Sequence, residues 1–279
     1  MTIPIVLSAF GTTTRALDTY AFMDRLIRRR FPDHDIRWAY SSRMVRDWIK
    51  MRRGIDLKHP HEVLNDLIAE GRDWAVVQSV HLMCGHEFNR LVAEVQGCAV
   101  RTSVGLPVLA APSDYERLGQ VMKDGFQQKE DEALVLVGHG TDHPSWSSYM
   151  AMNQMFAETI GPGAVHVGMI EGEYLSPEAV LDKVRAGRFH RVCLAPMMLV
   201  AGVHFQEDID GTSDSWRAVF EAAGIEVRVE NRGLGMLPAV SDLLADHIRE
   251  AMDVIPDRVC DRQVRPDPKS DRSQPRQGS

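Results

Sequence analysis

Residues 133–146 read ALVLVGHGTDHPSW, and this stretch decides how the chain folds. The apolar run 134–137 has the composition of a strand buried on both faces. It breaks at Gly138, and His139 stands between two glycines. Asp142, Pro144 and Ser145 then form a helix-start signal ahead of an amphipathic segment. Strand, glycine turn and helix in that order describe one unit of a parallel α/β sheet. The C-terminal end of such a strand is where open α/β folds hold their ligands. His139 is therefore either a loop histidine held by backbone hydrogen bonds or a functional side chain.

The same order occurs at the start of the chain. The run 3–10, IPIVLSAF, ends at Gly11-Thr12-Thr13-Thr14, and a helical pattern through Tyr20, Met23, Leu26 and Ile27 closes at Arg28–Arg30. Further strands are predicted at 35–40, 74–80, 107–111, 164–169, 191–195 and 225–229. Helices are predicted at 41–55, 60–70, 87–96, 113–126, 147–160, 177–186, 205–223 and 237–252. The second series repeats the first, so the expected fold is α/β with two Rossmann-like halves. Each half is a parallel sheet flanked by helices, with an active-site cleft between them. The expected boundaries are 1–127 and 128–255. Residues 256–279 are rich in Pro, Arg, Asp, Ser and Gln and are expected to be a disordered tail.

Composition narrows the function. The 279 residues carry a net charge of −7, which disfavours a general nucleic-acid binder. The apolar runs fall short of the ~20 residues that span a bilayer, so no membrane partner is expected. Cys84, Cys98, Cys193 and Cys260 form no CxxC pair, and the first residues lack the basic and apolar regions of a signal peptide. The expected compartment is the cytoplasm.

Three consecutive strands of the second half end near chemistry: His139 after 134–137, Glu171 after 164–169, and His204 a few residues beyond 191–195. In a parallel sheet these ends share one crevice. Two imidazoles and a carboxylate suit a first-row divalent metal, Co²⁺, Fe²⁺, Ni²⁺ or Zn²⁺. Such a site could activate water or hold a metal in transit. The chain contains no HExxH. A second cluster, His81, Cys84, His86 and Glu87, follows the strand at 74–80. The helix at 41–55 concentrates Arg43, Arg46, Lys50, Arg52 and Arg53 against a single acid, Asp47. It is either a solvated face or a docking surface for a polycarboxylate or phosphate.

SAFGTTT, VQSVHLMCGHEF, LVGHGTDH, GMIEGEY and APMMLVAGVHFQEDI together resemble the anaerobic sirohydrochlorin cobaltochelatases of the CbiK type. These are class II chelatases related to protoporphyrin ferrochelatase, and the resemblance runs in order over about residues 3–252. It implies a cobalt site at His139, Glu171 and His204. His139 would serve as ligand, as catalytic base, or as both in turn, and Glu87 as a proton-transfer or metal-guiding residue. It implies insertion of Co²⁺ into sirohydrochlorin with release of two protons, with no organic cofactor and with a homo-oligomer as the expected assembly. Insertion of Fe²⁺ for sirohaem, or metal and tetrapyrrole carriage without turnover, are the alternatives. Because the substrate carries eight carboxylates, Arg43, Arg46, Lys50 and Arg53 are its expected docking residues, with Thr12 and Thr13.

Overall fold

The computed structural model describes residues 2–14, 16–126, 131–160, 163–172 and 174–255. The expected tail lies outside the described residues. Two separate four-stranded sheets, parallel throughout, organise the chain. The first contains β1 (Ile5–Ala9), β2 (Ile36–Tyr40), β3 (Trp74–Ser79) and β4 (Arg101–Gly105), in the order β2-β1-β3-β4. The second contains β5 (Glu132–Gly138), β6 (Val165–Met169), β7 (Arg191–Pro196) and β8 (Glu226–Val229), in the order β6-β5-β7-β8. The two orders are the same pattern repeated, and the fold is two Rossmann-like halves.

The apolar runs read as they do because the central strands are covered on both faces. In β1, Ile5, Leu7 and Ala9 enter a core shared by both halves, while Val6 faces α3 (Pro60–Ala69) and α4 (His86–Gln96) through Leu64 and Leu91. In β5, Leu134 and Leu136 enter the shared core, while Val135 and Val137 pack under α7 (Pro177–Ala186) and α8 (Trp216–Ala222). Burying each of these Val, Leu and Ile side chains contributes roughly 1.5–3 kcal/mol. Prolines open α3, α5 (Pro112–Gly125), α7 and α9 (Pro238–Asp253), where the missing N–H has no intrahelical partner to lose.

The repeat extends to a hydrogen bond. The Gly11 N–H donates to the Tyr20 hydroxyl at 3.3 Å, and the Gly140 N–H donates to the Tyr149 hydroxyl at 3.3 Å. Tyr20 lies in α1 (Leu17–Arg30) and Tyr149 in α6 (Ser147–Thr159), so each half ties its first turn to its first helix in the same way.

The halves are also joined. The last helix, α9, packs on β3, β4 and α1, and α5 packs on α6 and α9. His247 of α9 places Nε2 3.3 Å from Asp114 of α5, and its Nδ1–H donates to the Leu106 carbonyl at 3.0 Å. Among the described residues no helix is long and apolar enough to cross a membrane.

Two elements differ from expectation. The fourth strand is Arg101–Gly105, not 107–111, which pairs instead with the segment beyond β3 through an isolated bridge between Met83 and Leu109. β4 is an edge strand with one exposed and one half-buried polar residue in RTSVG, which disguised it. Pro107 lacks the N–H a ladder needs. The helix expected over 205–223 is broken: Phe205–Ile209 forms one π-type turn, and α8 starts only at Trp216. Asp210-Gly211-Thr212-Ser213-Asp214-Ser215 lies between, with Asp214 at φ 53°. Ser215 Oγ accepts the Ala218 N–H at 3.1 Å and caps the new helix.

Candidate metal centre

β5 lies between β6 and β7, so the three marked strand ends are neighbours. Backbone hydrogen bonds carry the pairing past the strands. Glu171 N–H donates to the His139 carbonyl at 2.8 Å, and Met197 N–H to the Val137 carbonyl at 2.7 Å. Gly140 makes this possible: it sits at φ 86°, and a Cβ there would lie 1.9 Å from the Glu171 carbonyl oxygen. The tight turn sets His139 at the rim, while the π-type turn after β7 brings His204 to it.

The two imidazoles meet edge to face, with Nε2 of His139 3.3 Å from Nε2 of His204. Their other nitrogens face acceptors. Asp208 Oδ2 lies 2.8 Å from His204 Nδ1, and the Gly140 carbonyl lies 3.3 Å from His139 Nδ1, with Glu171 Oε2 at 3.7 Å. With acceptors on the Nδ1 side of both rings, the tautomers protonated at Nδ1 leave both Nε2 atoms free to ligate a cation. Carboxylates behind ligating imidazoles fix the ring and raise its basicity. The His139 and His204 side chains are 39% and 52% exposed, so an ion can reach them.

Both imidazoles open into a cavity of about 510 Å³ between the halves. Its walls are chiefly apolar, including Phe10, Met44, Leu199 and Val203, with Thr12 and Thr13 from the turn after β1. A flat hydrophobic ligand fits such a lining better than a hydrated one.

The family model for the cobalt chelatase CbiK matches residues 4–253. The chain belongs to the CbiK cobalt chelatase family. It is 32% identical over 228 residues to a sirohydrochlorin cobaltochelatase of Salmonella typhimurium, covering 80% of this chain and 85% of that protein. It is 32% identical over 265 residues to the sirohydrochlorin cobaltochelatase CbiKC of Nitratidesulfovibrio vulgaris, covering 91% and 92%. The solved structure of the sirohydrochlorin chelatase SirB from Bacillus subtilis subspecies spizizenii, in complex with cobalt, superposes with a TM-score of 0.63 at 15% identity. That match covers 91% of this chain and 96% of that one and shows the shared fold.

In this CbiK-family chain the other marked residues fall in distinct places. Glu171 reaches the Nδ1 side of His139 rather than the gap between the Nε2 atoms. Among the described residues no group of three His, Cys, Asp or Glu is gathered for a metal. Glu87 lines a neighbouring cavity of about 200 Å³, where it accepts hydrogen bonds from Ser41 Oγ and Arg90 Nη1, each at 3.0 Å. His81, Leu82 and Tyr149 line both cavities. His86 contacts Asp142 at 2.7 Å and Asn89 contacts His143 at 3.0 Å, tying α4 to the turn after β5.

The cationic helix α2 (Arg43–Arg53) turns Met44 and Val45 to the large cavity, not its charges. Arg46 pairs with Glu62 at 3.3 Å and Lys50 with Asp56 at 2.9 Å, and neither Arg43 nor Arg53 lines the cavity. Arg43 adjoins Met44 and is 88% exposed, 3.5 Å from Asp47. Asp208 received no individual role from the sequence. Its signal was the four-residue spacing from His204, which puts both on one helical face.

Proposed function

We propose that the chain is a sirohydrochlorin cobaltochelatase, inserting Co²⁺ into the macrocycle with release of two protons. The observation that carries this reading is the pair of Nε2 atoms 3.3 Å apart at the edge of a mostly apolar cavity. His139 and His204 hold the Co²⁺ substrate, and Glu171 swings from the Nδ1 side to complete the set. A site with only two donors in place binds loosely enough to give the metal up. The free macrocycle loses two N–H protons as the ion enters, so charge balances. His139, relieved of the metal, accepts one proton, and Glu87 in the adjoining cavity passes protons outward. Arg43 meets a substrate carboxylate at the rim. The same imidazole pair suits Fe²⁺, which is the second metal to assay.

The test is an anaerobic absorbance assay with sirohydrochlorin and Co²⁺. Many turnovers per chain are expected, whereas a stoichiometric plateau would mean a carrier. His139→Ala and His204→Ala should each slow insertion at least about tenfold, roughly 1.4 kcal/mol in the barrier. Rates unchanged in both would overturn the assignment.

A further inference from the structure

His81 is the one imidazole among the described residues that lies in the wall common to the two cavities. Its Nδ1 lies 2.8 Å from Ser79 Oγ, and its Nε2 is buried with no hydrogen-bond partner. Burial also pushes the imidazole pKa down to about 4, so the ring is neutral at pH 7. A buried nitrogen without a partner is a standing cost, and such costs persist where a ligand supplies what the protein withholds. The surrounding walls, Val80, Leu82 and Tyr149, leave the ring beside mostly apolar surface. Reaching Nε2 takes a small displacement of these neighbours, which a cavity-filling macrocycle would impose.

The chemistry of the ligand selects the role. A free-base tetrapyrrole presents inner N–H donors, and its metallated product has none. In the tautomer that donates Nδ1–H to Ser79 Oγ, Nε2 is an acceptor that only the free base can satisfy. From the wall position and the missing partner, we infer that His81 is a specificity-determining residue: its Nε2 accepts a pyrrole N–H of the unmetallated substrate and is orphaned again by the product. His81 thereby favours substrate entry and product release. It does not store the released proton, because its conjugate acid is too strong to persist at pH 7. This rests on the chelatase reading above.

The experiment measures the affinities of wild type, His81→Leu and His81→Gln for sirohydrochlorin and for cobalt-sirohydrochlorin by tetrapyrrole fluorescence and absorbance. Wild type should prefer the free base by about three- to tenfold, the range of one hydrogen bond. His81→Leu, close in volume and without an acceptor, should lose that preference, and His81→Gln should retain much of it. The melting temperature of His81→Leu should change little or fall slightly, because the orphaned Nε2 is gone but the buried Ser79 Oγ loses its partner. Co²⁺ binding without macrocycle should be unchanged in both variants. A free-base preference that persists in His81→Leu, or is absent from wild type, would overturn the inference. Wild type that binds neither macrocycle would overturn the chelatase reading itself.

Discussion

The two halves share a strand order and a glycine-to-tyrosine hydrogen bond, yet they present different surfaces to the cleft. Phe10 precedes Gly11 in the first half, and His139 precedes Gly140 at the equivalent point of the second. One turn therefore offers an apolar wall with Thr12 and Thr13, and the other an imidazole at the cavity rim. The scaffold is duplicated and the chemistry is not. A planar substrate with a reactive centre needs this asymmetry: one side to press against and one side to deliver an ion.

The glycines sharpen the comparison most. Gly140 sits at φ 86° against backbone, the Glu171 carbonyl, whereas Gly11 at φ 100° faces the end of a side chain, Val45 Cγ1, 2.9 Å from an added Cβ. Gly140→Ala should cost about 3 kcal/mol or more, and Gly11→Ala about half that, because a side chain yields and a ladder does not. Urea unfolding checks it. Equal losses would break the idea that the second turn is the more tightly built.

The imidazoles differ as well. His81, from the first half, is held neutral by burial, with its pKa lowered from 6.5 to about 4. Its unfolded form binds a proton below pH 6.5 that the folded form refuses, so stability falls as pH falls from about 6.5 toward 4. The loss from pH 7 to pH 5 attributable to this group is about 2 kcal/mol. His81→Leu should therefore flatten the pH dependence of denaturant unfolding over that window. A curve parallel to wild type would show that His81 is not buried neutral.

A smaller effect distinguishes the carboxylates behind the pair. Asp208 touches His204 at 2.8 Å, while Glu171 stands 3.7 Å from His139. Asp208→Asn should weaken Co²⁺ binding about tenfold through the imidazole it orients. Isothermal titration with Co²⁺ measures this, and unchanged affinity would make Asp208 a bystander.

Much of this was legible in the sequence because parallel strands buried on both faces read as apolar runs, and the turns after them carry glycines. The positions of His139, Glu171 and His204 followed from strand ends alone. β4 was not legible, since an edge strand with polar side chains has no apolar run to show. The break after Ile209 is hard to see in sequence because Phe205-Gln206-Glu207-Asp208 looks like a helix start and outweighs the turn-forming run 210–215. Which atom Glu171 reaches depends on a side-chain rotamer that no spacing encodes. Likewise, the arginines of α2 are conspicuous in sequence, yet the helix is rotated so that Met44 and Val45 face the cleft. Composition names the charges on a helix, and only packing decides where they point.

The central claim is that the second half holds the metal and the first does not. Its most direct test is a Co²⁺ titration of the ligand-free protein, comparing wild type, the double variant His139→Ala/His204→Ala, and Phe10→Ala at the equivalent turn. Wild type and Phe10→Ala should bind one Co²⁺ per chain with equal affinity, and the double variant should bind at least about a hundredfold more weakly, roughly 2.7 kcal/mol. Undiminished Co²⁺ binding by the double variant would contradict the account.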